Sequence, residues 1–188
     1  MDHRRDWTRR RFTTQVGWAS LGLLGLLGLT SARPVRAAPP GAPATGGLPI
    51  STLEQSPFVY ISPLQTDGRE SRCHGEVWFA WIEGAVVATV AHDRWKAQAV
   101  DRGLDRARIW VGDHGRWKNW YGGTNEAFRV APSFDARAER VRDPALLNRL
   151  LEHYEKKYPD EIDQWRDTMR EGNADGSRIL IRYVPIER

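Results

Sequence analysis

The stretch ATVAHDRWKAQ, at positions 88–98, places a lysine where a cation could bind an anion. An apolar strand is predicted to end near Thr89, and a helix is predicted to begin with Asp93 as its N-cap. Lys96 then lies in the first helical turn, beside backbone N–H groups that the helix does not use. A cation there opposes the helix dipole, and a bound phosphate would offset that cost. The pattern fits a solvated surface lysine equally well.

Tryptophans form a second candidate feature, because indole rings stack on planar ligands. Residues 38–188 contain seven of them: Trp78, Trp81, Trp95, Trp110, Trp117, Trp120 and Trp165. The large apolar area of indole explains most of these as core residues. Four of them lie beside predicted turns or strand ends, where a planar aromatic ligand could contact them: Trp78, Trp95, Trp117 and Trp120.

The sequence gives little support for hydrolytic or metal chemistry. The histidines of residues 38–188 form neither an H-x-H nor an H-E-x-x-H spacing, and no G-x-S-x-G or G-x-G-x-x-G sequence occurs. Cys73 is the only cysteine, so an intrachain disulfide and a two-cysteine metal site are both excluded. We therefore predict no metal site and assign no catalytic residue.

Residues 1–37 have the organisation of an export signal. Arginines are followed by a leucine- and glycine-rich apolar stretch, and the small-residue sequence VRA at 35–37 offers a cleavage site. Within the basic part, TRRRF at 8–12 resembles the twin-arginine signal of bacteria. The resemblance implies that the twin-arginine translocase exports the folded chain, often with a cofactor already bound, to a periplasmic or extracellular location. An uncleaved membrane anchor is the alternative.

Charge and composition distinguish the signal from the rest of the chain. The formal charge is +4, and residues 1–37 contribute seven arginines and two aspartates, so the remainder has 21 basic and 22 acidic residues. This near-neutral remainder does not support a nucleic-acid partner. Residues 38–50 are rich in proline, glycine and alanine and predict a flexible linker. Residues 51–188 suit a single domain with one core.

The pattern of apolar residues in this domain is mainly that of β-structure. Strands are predicted at 57–62, 75–82, 85–91, 106–112, 127–132 and 177–185. Helices are predicted at 93–103, 144–158 and 162–172, and residues 133–141 fit either a helix or a strand. Strands 75–82 and 85–91 are apolar on both faces, so both faces need cover, from a ligand or from a second copy of the chain. Short hairpins with few helices predict a mainly β (α+β) fold, a small antiparallel barrel.

The longest distinctive segment is FVYISPLQTDGRESRCHGEVWFAWIEGAVVATVAHDRWKAQAV, at 58–100. With ARIWVGD, LLNRLLEHYEKKYPDEIDQW and ADGSRILIRYVPI farther on, it resembles the FMN-binding split-barrel proteins related to pyridoxamine 5'-phosphate oxidase. The resemblance covers nearly all of residues 52–186. It implies a six-stranded antiparallel split β-barrel with short flanking helices, which forms a homodimer and binds FMN at the dimer interface.

The resemblance also implies which residues contact the cofactor. Lys96, Thr89 and Arg72 match positions that contact the flavin phosphate or its ribityl side. Val77, Trp78 and Phe79 match the strand whose backbone lies along the isoalloxazine ring. Trp95 occupies a position next to Lys96 in the same cofactor site. The implied site therefore comprises seven residues, six of them on three predicted elements and Arg72 on the segment before the strand at 75–82.

Two sequence differences from the family determine which function we expect. This chain has Trp95-Lys96 where pyridoxamine 5'-phosphate oxidases have an Arg-Lys pair, and it ends in IRYVPIER without their arginine- and histidine-bearing substrate motif. We therefore expect a flavin-dependent oxidoreductase that acts on another small-molecule substrate or electron donor. The alternatives are a non-catalytic flavin or haem binder, acting as a carrier or sensor, and a structural dimer whose pocket is filled by tryptophans. FMN is the expected cofactor, with deazaflavin or haem as alternatives.

Overall fold

A computed structural model describes residues 48–118 and 122–186 of the chain. The predicted signal at 1–37 and most of the predicted linker at 38–50 lie outside the described residues, as do Trp120 and Tyr121. The described part contains four α-helices: α1 Ile50–Gln55, α2 Trp95–Asp101, α3 Pro144–Lys157 and α4 Arg166–Asp175. Its seven strands are β1 Val59–Pro63, β2 Glu76–Val77, β3 Ala80–Ile82, β4 Ala85–Ala91, β5 Arg106–Val111, β6 Ser133–Val141 and β7 Arg178–Pro185.

The strands form one antiparallel sheet in the order β2-β1-β5-β6-β7-β4-β3. The consecutive strands β2 and β3 therefore lie at opposite edges, with only Trp78 and Phe79 between them. A flat sheet of this width would separate its edges by about 29 Å, whereas the chain from Val77 to Ala80 spans at most about 11 Å. The sheet must curl until its edges approach each other. The predicted split-barrel fold is confirmed, with seven strands in this part of the chain in place of the six expected.

The predicted single strand at 75–82 is wrong, because its backbone leaves the strand conformation at Trp78 and Phe79. Two tyrosines from α3 and its C-cap replace the strand partners there. The Tyr154 hydroxyl donates to the Trp78 carbonyl at 2.7 Å, and the Tyr158 hydroxyl accepts from the Phe79 amide at 3.2 Å. The break therefore costs little backbone hydrogen bonding, and it allows β2 and β3 to pair with different neighbours.

The two apolar faces of β4 are both covered by the same chain. Val86 and Val90 face the interior of the barrel, together with Ile109 and Ile181. On the opposite face, Ala85 and Val87 pack in a second cluster with the buried stripe of α3, which comprises Leu146, Leu147, Leu150, Leu151 and Tyr154. The sequence predicts an apolar stripe of Leu147, Leu150, Leu151 and Tyr154 on this helix, and the structure confirms it. A second copy of the chain is thus not required to cover β4, and the homodimer remains a prediction.

The helix starts and the ambiguous segment 133–141 can be compared directly with the predictions. The Asp143-Pro144 sequence predicts the start of α3. Asp143 is the N-cap, and its carboxylate accepts from the Ala145 and Leu146 amides at 2.9 and 3.1 Å. The N-cap of α2 is Arg94 in place of Asp93, and no side chain caps this helix. The ambiguous segment 133–141 is strand β6.

Two further boundaries differ from the predictions. The segment predicted as a strand at 127–132 forms a 3-10 turn, Ala127–Val130, because Phe128 is buried by stacking on Tyr60 with ring centroids 4.8 Å apart. Helix α4 continues past Gly172 to Asp175 and ends at Gly176, whose φ of 85° is left-handed. Gly172 is retained inside the helix because a Cβ there would lie 2.6 Å from Cγ of Arg178.

Candidate functional site

A cleft of about 850 Å³ lies between the 65–73 loop, the start of α2 and the segment 117–118. Its size is within the range of pockets that hold cofactors and other small ligands. The residues that carry its chemistry are Ser71, Arg72, Cys73, Arg94, Trp95, Trp117 and Lys118. Two of the seven residues implied by the family resemblance, Arg72 and Trp95, thus line one cleft.

Two indole rings contribute aromatic surface to the cleft. Trp117 is held firmly, because its backbone amide donates to the Glu76 carboxylate at 3.1 Å and its indole N–H donates to Glu126 at 3.3 Å. The indole Nε1 of Trp95 is buried and has no hydrogen-bond partner among the described residues. A buried indole N–H normally has an acceptor, so this donor is available to a bound polar group.

The cleft carries an excess of positive charge. Arg72, Arg94 and Lys118 are exposed side chains along it, and Asp93 is the single carboxylate among its lining residues in the described part of the chain. Asp93 lies 3.4 Å from the Arg94 guanidinium, so it neutralises at most one of the three cations. Three cations against one acid favour an anionic ligand.

Lys96 lies beneath the cleft and is only 7% exposed. Its ammonium donates to the Cys73 sulfur at 3.7 Å, and Nζ is so close to the backbone that a Cβ on Gly75 would be 3.2 Å away. Burial lowers the pKa of the Lys96 ammonium, while the neighbouring Cys73 and the Glu76 carboxylate oppose that shift. The solvated surface lysine considered from the sequence is therefore excluded.

A charged network fixes the segment that carries Arg72 and Cys73. Glu70 accepts hydrogen bonds from Arg129 at 2.9 Å and from Arg108 at 3.3 Å. The Arg129 guanidinium also lies 3.3 Å from Nε2 of His74. Burial lowers the pKa of His74, and the positive charge of Arg129 lowers it further, so the neutral ring can accept from Arg129. The segment is thus held at both ends, at Glu70 and at His74.

The structure places the other implied site residues in different surroundings. The Thr89 hydroxyl accepts from the Asn173 amide of α4 at 2.8 Å. Val77 pairs with Val59, and the ring of Trp78 stacks on Tyr158 with centroids 4.3 Å apart. Phe79 is fully buried in the barrel interior. None of these four lines the cleft, and their contacts with a cofactor remain predictions.

Sequence reasoning missed the pairing of Lys96 with Cys73 and the roles of Ser71, Arg94 and Lys118 in the cleft. Lys96 and Cys73 are 23 positions apart, with the three strands β2, β3 and β4 between them, so no local spacing signals their contact. The described residues contain no group of three or more histidine, cysteine or acidic side chains that could hold a metal ion. Among the helices of residues 48–118 and 122–186, none is long and apolar enough to cross a membrane.

Comparison with known proteins finds similar solved structures but does not assign the chain to a family. No family model matches the chain, and no curated protein matches it. A conserved hypothetical protein of Mycobacterium tuberculosis is 18% identical, with 73% of this chain and 78% of that chain covered and a TM-score of 0.48. The heme storage protein HutZ of Vibrio cholerae is 14% identical, with 74% and 88% covered and a TM-score of 0.49. A putative pyridoxamine 5'-phosphate oxidase of Listeria innocua is 15% identical, with 73% and 90% covered and a TM-score of 0.45.

Proposed function

We propose that this chain binds FMN in the cleft between Trp95 and Trp117 and acts as a flavin-dependent oxidoreductase. The observation that carries the proposal is the combination of two indoles with three cations around one cleft. Stacking on an indole suits the planar isoalloxazine ring, and a cationic rim suits the phosphate. The buried Trp95 Nε1, without a partner among the described residues, supplies a donor for a polar edge of the ring.

Each cleft residue has a defined part in this proposal. Arg72 and Arg94 would bind the phosphate, because a guanidinium can donate two parallel hydrogen bonds to it. Lys118 would add a third positive charge, and its ammonium already lies 5.3 Å from the centre of the Trp117 ring. Lys96 would contribute positive charge from beneath the cleft. When bound, the flavin itself supplies hydride or electron transfer.

The proposed site contains only some of the residues that the family resemblance implies. It retains Arg72, Trp95 and Lys96, and it adds Arg94, Trp117 and Lys118. It omits Thr89, whose hydroxyl is bonded to Asn173, and the segment 77–79, whose backbone is bonded to Val59 and to tyrosine hydroxyls. No histidine lines the cleft in the described part of the chain, so we place the flavin before haem.

Replacing Arg72 with alanine should weaken FMN binding by about ten- to a hundredfold. A charge-assisted hydrogen bond contributes about 1.5–3 kcal/mol, and each 1.4 kcal/mol is about a tenfold change in affinity. Riboflavin lacks the phosphate, so its affinity should be nearly unchanged. Titrations of both ligands against protein freed of cofactor measure the two affinities by the quenching of flavin fluorescence.

The matched control for this titration is Arg170→Ala. Arg170 is an exposed arginine of α4 that does not line the cleft, so FMN affinity should be unchanged. Equal losses for FMN and riboflavin with Arg72→Ala would show that Arg72 does not bind the phosphate. A Soret band in the protein as purified would replace FMN by haem as the ligand, and turnover with a reductant separates an enzyme from a carrier.

We also propose that the chain is exported by the twin-arginine route. The support is the sequence TRRRF at 8–12 ahead of an apolar stretch. Changing Arg9 and Arg10 together to lysine should keep the protein in the cytoplasm, because the arginine pair is the element that the translocase recognises. Cell fractionation and immunoblotting measure the distribution. The same yield outside the cytoplasm from the double variant would contradict this route.

A further inference from the structure

Cys73 lines the cleft and has an unusual partner. Its side chain is half-buried, and its sulfur accepts a hydrogen bond from the Lys96 ammonium at 3.7 Å. Cys73 is the only cysteine of the chain, so it has no partner for an intrachain disulfide. A thiol beside a cation is a better nucleophile at neutral pH, because the cation stabilises the thiolate.

The Lys96 ammonium lacks the acceptors that a buried cation needs. It can donate three hydrogen bonds, and the one it makes among the described residues is to the Cys73 sulfur. The Glu76 carboxylate attracts it electrostatically but accepts a hydrogen bond from the Trp117 backbone amide. A buried ammonium is costly unless an anion accompanies it. The Cys73 sulfur lies at hydrogen-bonding distance from this ammonium.

Two buried hydroxyls provide an independent observation at the same place. Ser71 lines the cleft, is 6% exposed, and its hydroxyl has no hydrogen-bond partner in the described part of the chain. Tyr183 of β7 is 1% exposed, its hydroxyl is equally without a partner there, and Cys73 acts on it electrostatically. The surroundings of the sulfur thus contain several hydrogen-bond donors without acceptors. Such an environment stabilises an anion.

The charged groups around the pair act on the Lys96 ammonium in opposite directions. Arg94 lies near Lys96 and adds positive charge, whereas Glu76 adds a negative charge. His74 is also within electrostatic range of Lys96, and it is neutral because burial and Arg129 lower its pKa. The exposed Arg72 and Lys118 add further positive charge along the cleft.

We propose that Cys73 is a reactive thiol that forms mixed disulfides with small anionic disulfides entering the cleft, with the Lys96 ammonium stabilising the sulfur as it attacks. The cationic rim of Arg72, Arg94 and Lys118 selects the anionic reactant. The reaction requires no bound cofactor, so it stands independently of the proposed flavin site.

The reaction is a thiol–disulfide exchange. The Cys73 thiolate attacks one sulfur of the small disulfide, so that a new S–S bond forms and the original S–S bond breaks. The second half of the small disulfide leaves as a thiolate and takes a proton from solvent. Cys73 is oxidised and the departing sulfur is reduced, so no further oxidant takes part.

The first test compares reaction rates of wild type, Lys96→Met and Cys73→Ser, all freed of cofactor. Glutathione disulfide is the probe, and mass spectrometry follows the adduct, which can form only at Cys73. Lys96→Met should react about tenfold or more slowly at neutral pH, because the cation that stabilises the attacking sulfur is lost. Cys73→Ser should form no adduct. Equal rates for wild type and Lys96→Met would overturn the proposal.

The charge preference is tested with a second disulfide. Cystamine carries two positive charges, so wild type should react with it more slowly than with glutathione disulfide. Arg72→Ala should slow the reaction with glutathione disulfide and leave the cystamine rate unchanged or faster. A wild-type protein that prefers cystamine would exclude the anionic reactant. If circular dichroism shows that Lys96→Met is unfolded, the disulfide preference of the wild-type protein still decides the question. Because no flavin is present, these outcomes are independent of the FMN titrations.

Discussion

Replacing Phe79 with alanine is expected to lower the free energy of unfolding by about 3–5 kcal/mol. Phe79 is fully buried in the interior cluster of the barrel, in the two-residue link that joins its edge strands. Its ring also lies 3.5 Å below the Lys157 ammonium, a cation–π contact that alanine would remove. The cavity would therefore open at the point where the curled sheet closes. Urea denaturation followed by circular dichroism measures the loss.

Phe79→Leu is the matched control, because it keeps most of the apolar volume. It should cost about 1.5 kcal/mol or less. The pair also shows whether the Phe79 side chain, in addition to the backbone contact that the family resemblance implies, affects FMN binding. If Phe79→Leu folds normally and binds FMN as wild type does, the side chain serves the core alone. A loss below about 1 kcal/mol for Phe79→Ala would contradict the packing described here.

Elements that depend on local sequence signals were predictable. Strand β4 has the predicted bounds, Ala85–Ala91, because its apolar run lies between a Glu83-Gly84 turn and a polar segment. Both turn residues have positive φ, 50° and 74°, as a tight hairpin requires. The start of α3 was equally predictable, since Asp143 and the following proline form a standard helix start.

Features that depend on distant residues were not predictable. The strand break at Trp78 and Phe79 is stabilised by the hydroxyls of Tyr154 and Tyr158, which lie 76 and 79 positions away. An apolar run by itself gives no sign of such an interruption. The cover of β4 by α3 is another example, because an apolar strand face shows that cover is needed but not which element provides it.

In the candidate site, too, some features follow from the local sequence and others depend on residues that are distant in the chain. Trp95 and Arg72 were implied by the family resemblance, and the structure brings both to one cleft. Thr89 was implied in the same way, yet its hydroxyl is bonded to Asn173 of α4. Lys96 was located correctly in the first turn of its helix. The direction of its side chain, towards Cys73, depends on the packing of α2 against the barrel, which sequence spacing does not show.

Replacing Arg108 with methionine is expected to lower the free energy of unfolding by about 3 kcal/mol or more. Arg108 and Asp135 face each other across β5 and β6, and the guanidinium donates to both carboxylate oxygens, at 2.8 and 3.2 Å. Asp135 is 7% exposed, so the substitution would leave a buried carboxylate without its arginine. Arg108 also donates to Glu70, which anchors the segment that carries Arg72 and Cys73. Denaturant unfolding at constant pH measures the loss.

Two further variants separate this buried pair from ordinary surface charge. Arg137→Met removes an exposed arginine of the same strand as Asp135, whose partner Glu139 is at 3.0 Å, and should cost less than about 1 kcal/mol. Arg108→Met combined with Asp135→Leu removes both charges and should recover most of the loss, because the buried carboxylate is removed together with its arginine. Glu70 keeps Arg129 as its partner in the double variant. A double variant as unstable as Arg108→Met alone would show that the arginine stabilises the sheet through its contact with Glu70, and not through Asp135.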